Sequence, residues 1–448
     1  MSSSTRFQLL RSILHPIQDF INKESFSGLL LMFITVAALA WANSPLADSY
    51  DKIWNTPFNI SFGDFGLEKA AILWINDGLM AIFFFVVGLE IKREILTGEL
   101  ASPRKAAFPV IAALGGMVVP AAIYIFLNLN NENLHGWGIP MATDIAFALG
   151  ILVLLGKRVP LSLKLFLVAF AIVDDIGAVL VIAFFYTSEI SMLSLLVAIG
   201  VFGILLVLSA LNVRNIWLYT LLGLILWVAF LKSGVHATVA GILLAMTIPH
   251  RSKISEEEFI ASTNSVLAEL HAVHLPRNNT DEENDENEAL DSENFQATIH
   301  TLETNCEEAL SPLARLEHAL HPWVAYLIMP VFALSNAGIS IDSAMLNSFS
   351  DPVLTGIILG LVLGKPAGIM IFTWLGAVTG LAAKPNDISW IQVLGAGLLG
   401  GVGFTMSIFI ANLAFAGSPM LVFAKLAILS ASLIAGLVGY LVLRSVKA

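Results

Sequence analysis

Cysteine is almost missing from this chain of 448 residues: Cys306 stands alone, so an intrachain disulfide is excluded and the redox compartment goes unmarked. Charge is scarce as well. Asp, Glu, Lys and Arg make up 13% against 57% hydrophobic residues, and the mean hydropathy is +0.82. That excludes an ordinary soluble domain, in which about 25% of residues are charged, and indicates a polytopic membrane protein. No cleavable signal peptide is expected, because the first apolar run begins near Phe26 behind polar residues with Arg6, Arg11 and Lys23. No His/Cys cluster suited to a transition metal is visible, no cofactor is expected, and no basic tract calls for nucleic acid.

The net charge of −11 is local. Arg251 to Leu316 holds fifteen Asp/Glu against four Lys/Arg, and the rest of the chain sums to zero. Within it, Asn278 to Asn294 (NNTDEENDENEALDSEN) is too polar to bury a core and is expected to be disordered, a solvated insertion with short helices at its flanks, around Phe259 to Leu275 and Phe295 to Leu320.

Twelve apolar stretches, from 26–44 to 419–443, approach the ~20 residues that a helix needs to span a bilayer, the seventh (215–231) and eighth (233–249) being the shortest. Lys and Arg fall almost entirely on one side of this alternation, with Lys52, Lys69 and Lys232 opposite. That bias makes the basic side cytoplasmic and puts both termini inside. The chain divides into an amphipathic segment (1–25) that would lie on the bilayer surface, spans one to eight (26–249) with an outer β-hairpin near 59–67, the acidic insertion (250–316), and spans nine to twelve (317–448).

Asp174 and Asp175 lie in the middle of the fifth span, where a carboxylate is costly and usually marks an ion or proton pathway. Asp144 and Lys365 lie about ten to fifteen residues into their own spans, which at ~1.5 Å per residue brings all four to one depth. Three acids and one base leave negative charge that a hard cation can neutralise, with the Thr143 hydroxyl and loose carbonyls as further oxygen ligands. Neighbours on a helix point about 100° apart, so the two aspartates need different partners: one the cation cavity, the other Lys365 or the cavity's edge. The fourth span carries Gly136, Gly138 and Pro140 before Thr143, and the eleventh carries GAGLLGGVGFT (Gly395 to Thr405), so both should be interrupted near the midplane. They run in opposite directions. Spans three to five and ten to twelve therefore read as inverted repeats, a rule for which the family named next is itself an example.

The segments NDGLMAIFFFVVGLEIKREIL (Asn76 to Leu96), PMATDIAFALG (Pro140 to Gly150), AIVDDIGAVLV (Ala171 to Val181), KSGVHATVAGI (Lys232 to Ile242), RLEHALHPWVAYLIMPVFALSNAG (Arg315 to Gly338), LGKPAGI (Leu363 to Ile369) and GVGFTMSIFIA (Gly401 to Ala411) resemble the NhaA-type bacterial sodium/proton antiporters from the first span to the last. The resemblance implies an all-α inner-membrane protein, not an enzyme, that exchanges cytoplasmic Na+ or Li+ for external protons. Asp175 would be the essential carboxylate, Asp174 its neighbour linked to Lys365, and Thr143 would lie beside the site. Asp144 and Lys365 would offset the dipole ends of the broken helices. Na+ would meet Asp174, Asp175 and Thr143. The resemblance also implies electrogenic exchange, activation at alkaline pH through Glu90, Arg93, Glu94, Glu317, His318 and His321, and a dimer joined through the outer hairpin. The acidic insertion is longer than the family pattern.

A sodium-coupled solute symporter is the competing expectation, but no intramembrane basic or aromatic set beyond Lys365 could hold an organic solute. The GxGD arrangement of an intramembrane aspartyl protease is absent, and a passive channel needs neither broken repeats nor a lysine facing the acids.

Overall fold

The computed structural model describes residues 26–62, 65–129, 132–187, 190–274, 285–341 and 351–446. The surface segment expected over 1–25, the Gly63–Asp64 turn and the first part of the acidic tract lie outside the described residues.

The described chain is helical apart from one hairpin. α1 (Phe26–Ala42) turns by 110° into the short α2 (Ala47–Asn55). β1 (Pro57–Phe62) and β2 (Phe65–Ala70) pair antiparallel with Phe62 opposite Phe65, and the strands extend beyond the 59–67 expected. The long spans follow: α3 (Ala71–Thr97), α4 (Pro103–Asn128), a 3-10 segment (Glu132–Met141) leading into α5 (Ile145–Leu154), α6 (Leu161–Phe185), α7 (Met192–Ala210) and α8 (Ile216–Ser233). α8 ends at Gly234, whose φ of 87° a side chain would disfavour. The eighth span is the 10-residue α9 (Thr238–Thr247).

The acidic insertion forms α10 (Glu256–His274) and α11 (Asp285–Ala309). Helix over 285–294 departs from the disorder expected there. Ala and Leu in this stretch favour helix by intrinsic propensity. Lys253 pairs with Glu308, and Arg315 with Glu307 at 3.0 Å, tying the insertion to its roots. α12 (Pro312–Asn336) begins before the 321 expected for its span, since Ser311 caps it by accepting from the Ala314 N–H at 3.2 Å. α13 (Pro352–Val378), α14 (Trp390–Gly400), α15 (Phe404–Ala414) and α16 (Met420–Ser445) complete the chain, with α14 and α15 bent by 44° about their break.

Among the described residues nine helices are long and apolar enough to cross a membrane, eleven if each bent pair counts as one, with α9 the short twelfth apolar segment. The exterior is oily, with Leu193, Trp217 and Phe184 exposed, while Lys365, Asp174 and Asp144 are buried. That inversion of the soluble pattern suits a lipid solvent. The helices form two bundles. α4, α5, α6 and α13 to α16 pack round the interruptions, and α3, α7, α8, α9 and α12 pack beside them. At the heart of the first bundle α4 and α13 cross at reciprocal glycines: a Cβ on Gly115 would sit 2.2 Å from the Gly368 carbonyl oxygen, and one on Gly368 2.0 Å from that of Gly115. Such mutual contact is what two inverted, equivalent helices make at their axis.

Candidate functional site

Helix stops at Met141 and resumes at Ile145; it stops again at Gly400 and resumes at Phe404. The freed backbone groups are satisfied across the two gaps. The Asp144 N–H donates to the Val402 carbonyl at 2.7 Å, the Thr143 hydroxyl to the Gly400 carbonyl at 2.9 Å, and the Ser407 hydroxyl to the Ile139 carbonyl at 2.8 Å. Asp144 caps both restarts. Its Oδ1 accepts from the Phe147 N–H at 2.9 Å, and its Oδ2 accepts from the Thr405 N–H at 3.1 Å and from the Thr405 hydroxyl. One carboxylate therefore lies at the positive ends of α5 and α15 together.

Lys365 serves the opposite pole. Its ammonium donates to the Met141 carbonyl, where the 3-10 segment ends, and to Asp174 Oδ2 at 2.7 Å, with the Phe170 ring centroid 5.9 Å away. Lys365 and Asp174 side chains are both wholly buried. Asp175, one step round α6, is held differently. It lines a cavity of about 60 Å³ together with Thr143, Asp144, Thr405, Glu90 and His321, and its buried Oδ1 meets no protein donor. The five expected site residues thus converge, but unequally. Asp175, Thr143 and Asp144 border the cavity; Asp174 is turned to Lys365. Among the described residues no cluster of three His, Cys, Asp or Glu side chains has the geometry of a resident metal site.

Glu90 and His321 border the cavity at its far end, with His321 Nε2 4.0 Å from Glu90 Oε1. Beside them Arg93 bonds Glu317, and its second nitrogen lies 3.2 Å from Glu94 Oε1. Glu94 also accepts from the Glu99 N–H at 3.0 Å. Five of the six residues grouped by the sequence meet here. His318 does not: it is exposed on the next face of α12, whereas Glu317 and His321, one turn apart, are buried. Sequence reading missed Lys92, whose ammonium donates to the Met246 and Ile248 carbonyls, both at 2.6 Å, and closes the end of α9.

About one turn of α15 beyond the cavity-lining Met406, aromatic rings pack together. Phe409 lies 5.5 Å from Phe84 and 6.2 Å from Phe332, and His236 packs 5.3 Å from Phe409. Beyond the rings Asp77 meets Lys69 at 2.5 Å and His236 at 3.6 Å, and Asn76, Asn336 and Asn412 hydrogen-bond to one another. Asparagines near helix ends carry no distinctive spacing, so nothing in the sequence marked this group.

Apolar helices wrapped around two interrupted ones, with carboxylates and a lysine gathered where the interruptions cross, define a membrane carrier of small ions. The chain belongs to the Na+/H+ antiporter 1 family, whose profile matches residues 18–443. It is 51% identical to the Na+/H+ antiporter NhaA of Oleidesulfovibrio alaskensis over 98% of this chain and 95% of that one. The Na+/H+ antiporters NhaA of Koribacter versatilis (50%; 96% and 91% covered) and Helicobacter pylori strain 26695 (49%; 95% and 94%) are similarly close.

Proposed function

We propose that this chain exchanges Na+, or Li+, for protons across a bacterial inner membrane, with the two ions competing for Asp175. The carrying observation is the division of labour between neighbours: each keeps a buried Oδ1 that no protein group serves, but Asp174 is engaged through Oδ2 by Lys365, whereas Asp175 is the one that borders the cavity. A carboxylate placed so can hold a proton or share a small cation with Thr143 and its neighbours, but not both together. A cavity of about 60 Å³ suits an ion with a few waters and is too small for an organic solute, which favours antiport over solute symport.

The basic side chains at the Glu90 end make that end cytoplasmic, with both termini inside. The Glu90 and His321 edge of the cavity then faces the cytoplasmic side. Lys365, if it gives up its proton as the cation binds, supplies a second proton per cycle and makes exchange electrogenic. Glu90, Arg93, Glu94, Glu317 and His321 at the cytoplasmic end are placed to alter access with pH, because carboxylates and histidine exchange protons with that compartment directly. Among the described residues the hairpin leaves one edge of each strand unpaired, so a second copy can add its own hairpin to form a dimer.

Inverted vesicles energised to be acid inside test the exchange: added Na+ should collapse the pH gradient with no organic solute present. Asp175→Asn should reduce that response to background. A full response in Asp175→Asn would remove Asp175 from the exchange site.

A further inference from the structure

The boundary between the two bundles is crossed at the hairpin end by a hydrogen bond between neutral amides. Asn412 of α15 donates to Asn336 Oδ1 at 2.7 Å. Asn336, wholly buried at the end of α12, donates in turn to Asn76 Oδ1 at 2.9 Å and to the Phe332 carbonyl at 3.1 Å. Asn76 lies in a π-turn of α3 (Ile75–Leu79). Seven residues separate Asn412 from Thr405, about 10 Å along a helix, and Phe409 lies between them. The triad therefore sits just beyond the Phe409 ring, joining the helix that carries Thr405 to the two helices opposite.

We propose that Asn412, Asn336 and Asn76 form the latch that keeps the hairpin side shut, and that Asn412 releases Asn336 whenever the carboxylates turn to that side. This rests on the exchange reading above. The chemistry of the bond suits a joint broken on every cycle. A net hydrogen bond between amides is modest, and once water enters, the parted amides are hydrated, whereas a charged pair such as Lys365 and Asp174 holds much harder. With Leu at 412, Asn336 loses a partner while the gate is closed and finds water when it is open. The equilibrium then moves toward the hairpin-open form.

The test uses the full chain reconstituted in vesicles, with the KM for Na+ measured separately at each face. Affinity at a face scales with the fraction of molecules open to it. Asn412→Leu should raise KM at the Glu90 face and lower it at the hairpin face, with a population shift of about fivefold, the size of one such bond. Asn336→Leu should show the same signs, and the double variant should go no further than Asn336→Leu alone. Should Asn412→Leu fail to accumulate in the membrane, Asn412→Ser carries the test with the same signs. KM values that move together, or do not move, in variants that still exchange overturn the latch and leave the exchange reading standing. Absence of Na+-driven proton flux in the unaltered chain overturns that reading itself, and the latch with it.

Discussion

Asp174 and Lys365 form an ion pair taken wholly out of water, and such a pair is most costly when only half is removed. Lys365→Ala leaves a buried carboxylate without its ammonium and is expected to destabilise the protein by about 3–5 kcal/mol. The double change with Asp174→Asn should recover much of that. Thermal unfolding in detergent measures both, and equal stability of Lys365→Ala and the unaltered chain would show that the pair contributes nothing. Residue chemistry and helical rise brought the four charges to one depth from sequence alone, and the 100° step gave the aspartates separate partners. Which aspartate took the lysine came from the resemblance. That the lysine also binds the Met141 carbonyl was not legible, because it depends on where the chain unwinds 224 positions away in sequence.

At the scale of elements, the crossing of α4 and α13 has no room for a side chain. Gly115→Val and Gly368→Val should each force the helices apart, cost at least the ~1–3 kcal/mol of an overpacked core, and depress exchange, as read by unfolding and by vesicle assay. Folding at Gly368→Val with unaltered stability would mean that the crossing is loose. The start of α10 offers a pH-dependent case. Ser255 and Glu258 form a capping box: the Ser255 N–H donates to Glu258 Oε2 at 2.8 Å, and the Glu258 N–H donates to Ser255 Oγ at 3.2 Å. The Ser255 N–H, and after it the Ser255 hydroxyl, hold the Glu258 carboxyl below the usual carboxylate range. A lowered folded value means that the cap's contribution is present above the ordinary glutamate range and is lost as pH falls through the lowered one. Hydrogen exchange at the first amides of α10 should show protection fading on acidification, and Glu258→Gln should remove its pH dependence. The sequence showed a helical flank from about Phe259, just past this cap, but the helix of 285–294 was hidden, since acidity suggests a solvated coil until helix propensity is weighed beside it.

The described molecule is two bundles meeting around the buried carboxylates, with the acidic insertion standing apart. Deleting 278–294 is expected to leave exchange and its pH profile unchanged, because among the described residues the pairs of Lys253 with Glu308 and of Arg315 with Glu307 join the insertion's roots to one another. A displaced pH midpoint would instead give the insertion a regulatory role. Twelve apolar segments and the two breaks were legible because hydropathy and Gly/Pro placement are local signals. The early start of α12 was not, because Glu317 and His321 lower hydropathy there while their partners come from α3. Tertiary pairing makes a charged stretch buriable, and a window along the chain cannot see it.

Asp144 holds the restart of one interrupted helix and of its inverted counterpart with the same two oxygens. If the halves arose by duplication, this is where they stopped being two inheritances. A change at 144 or at 405 is felt by both halves at once, so neither can drift here alone, however freely the surrounding helices vary.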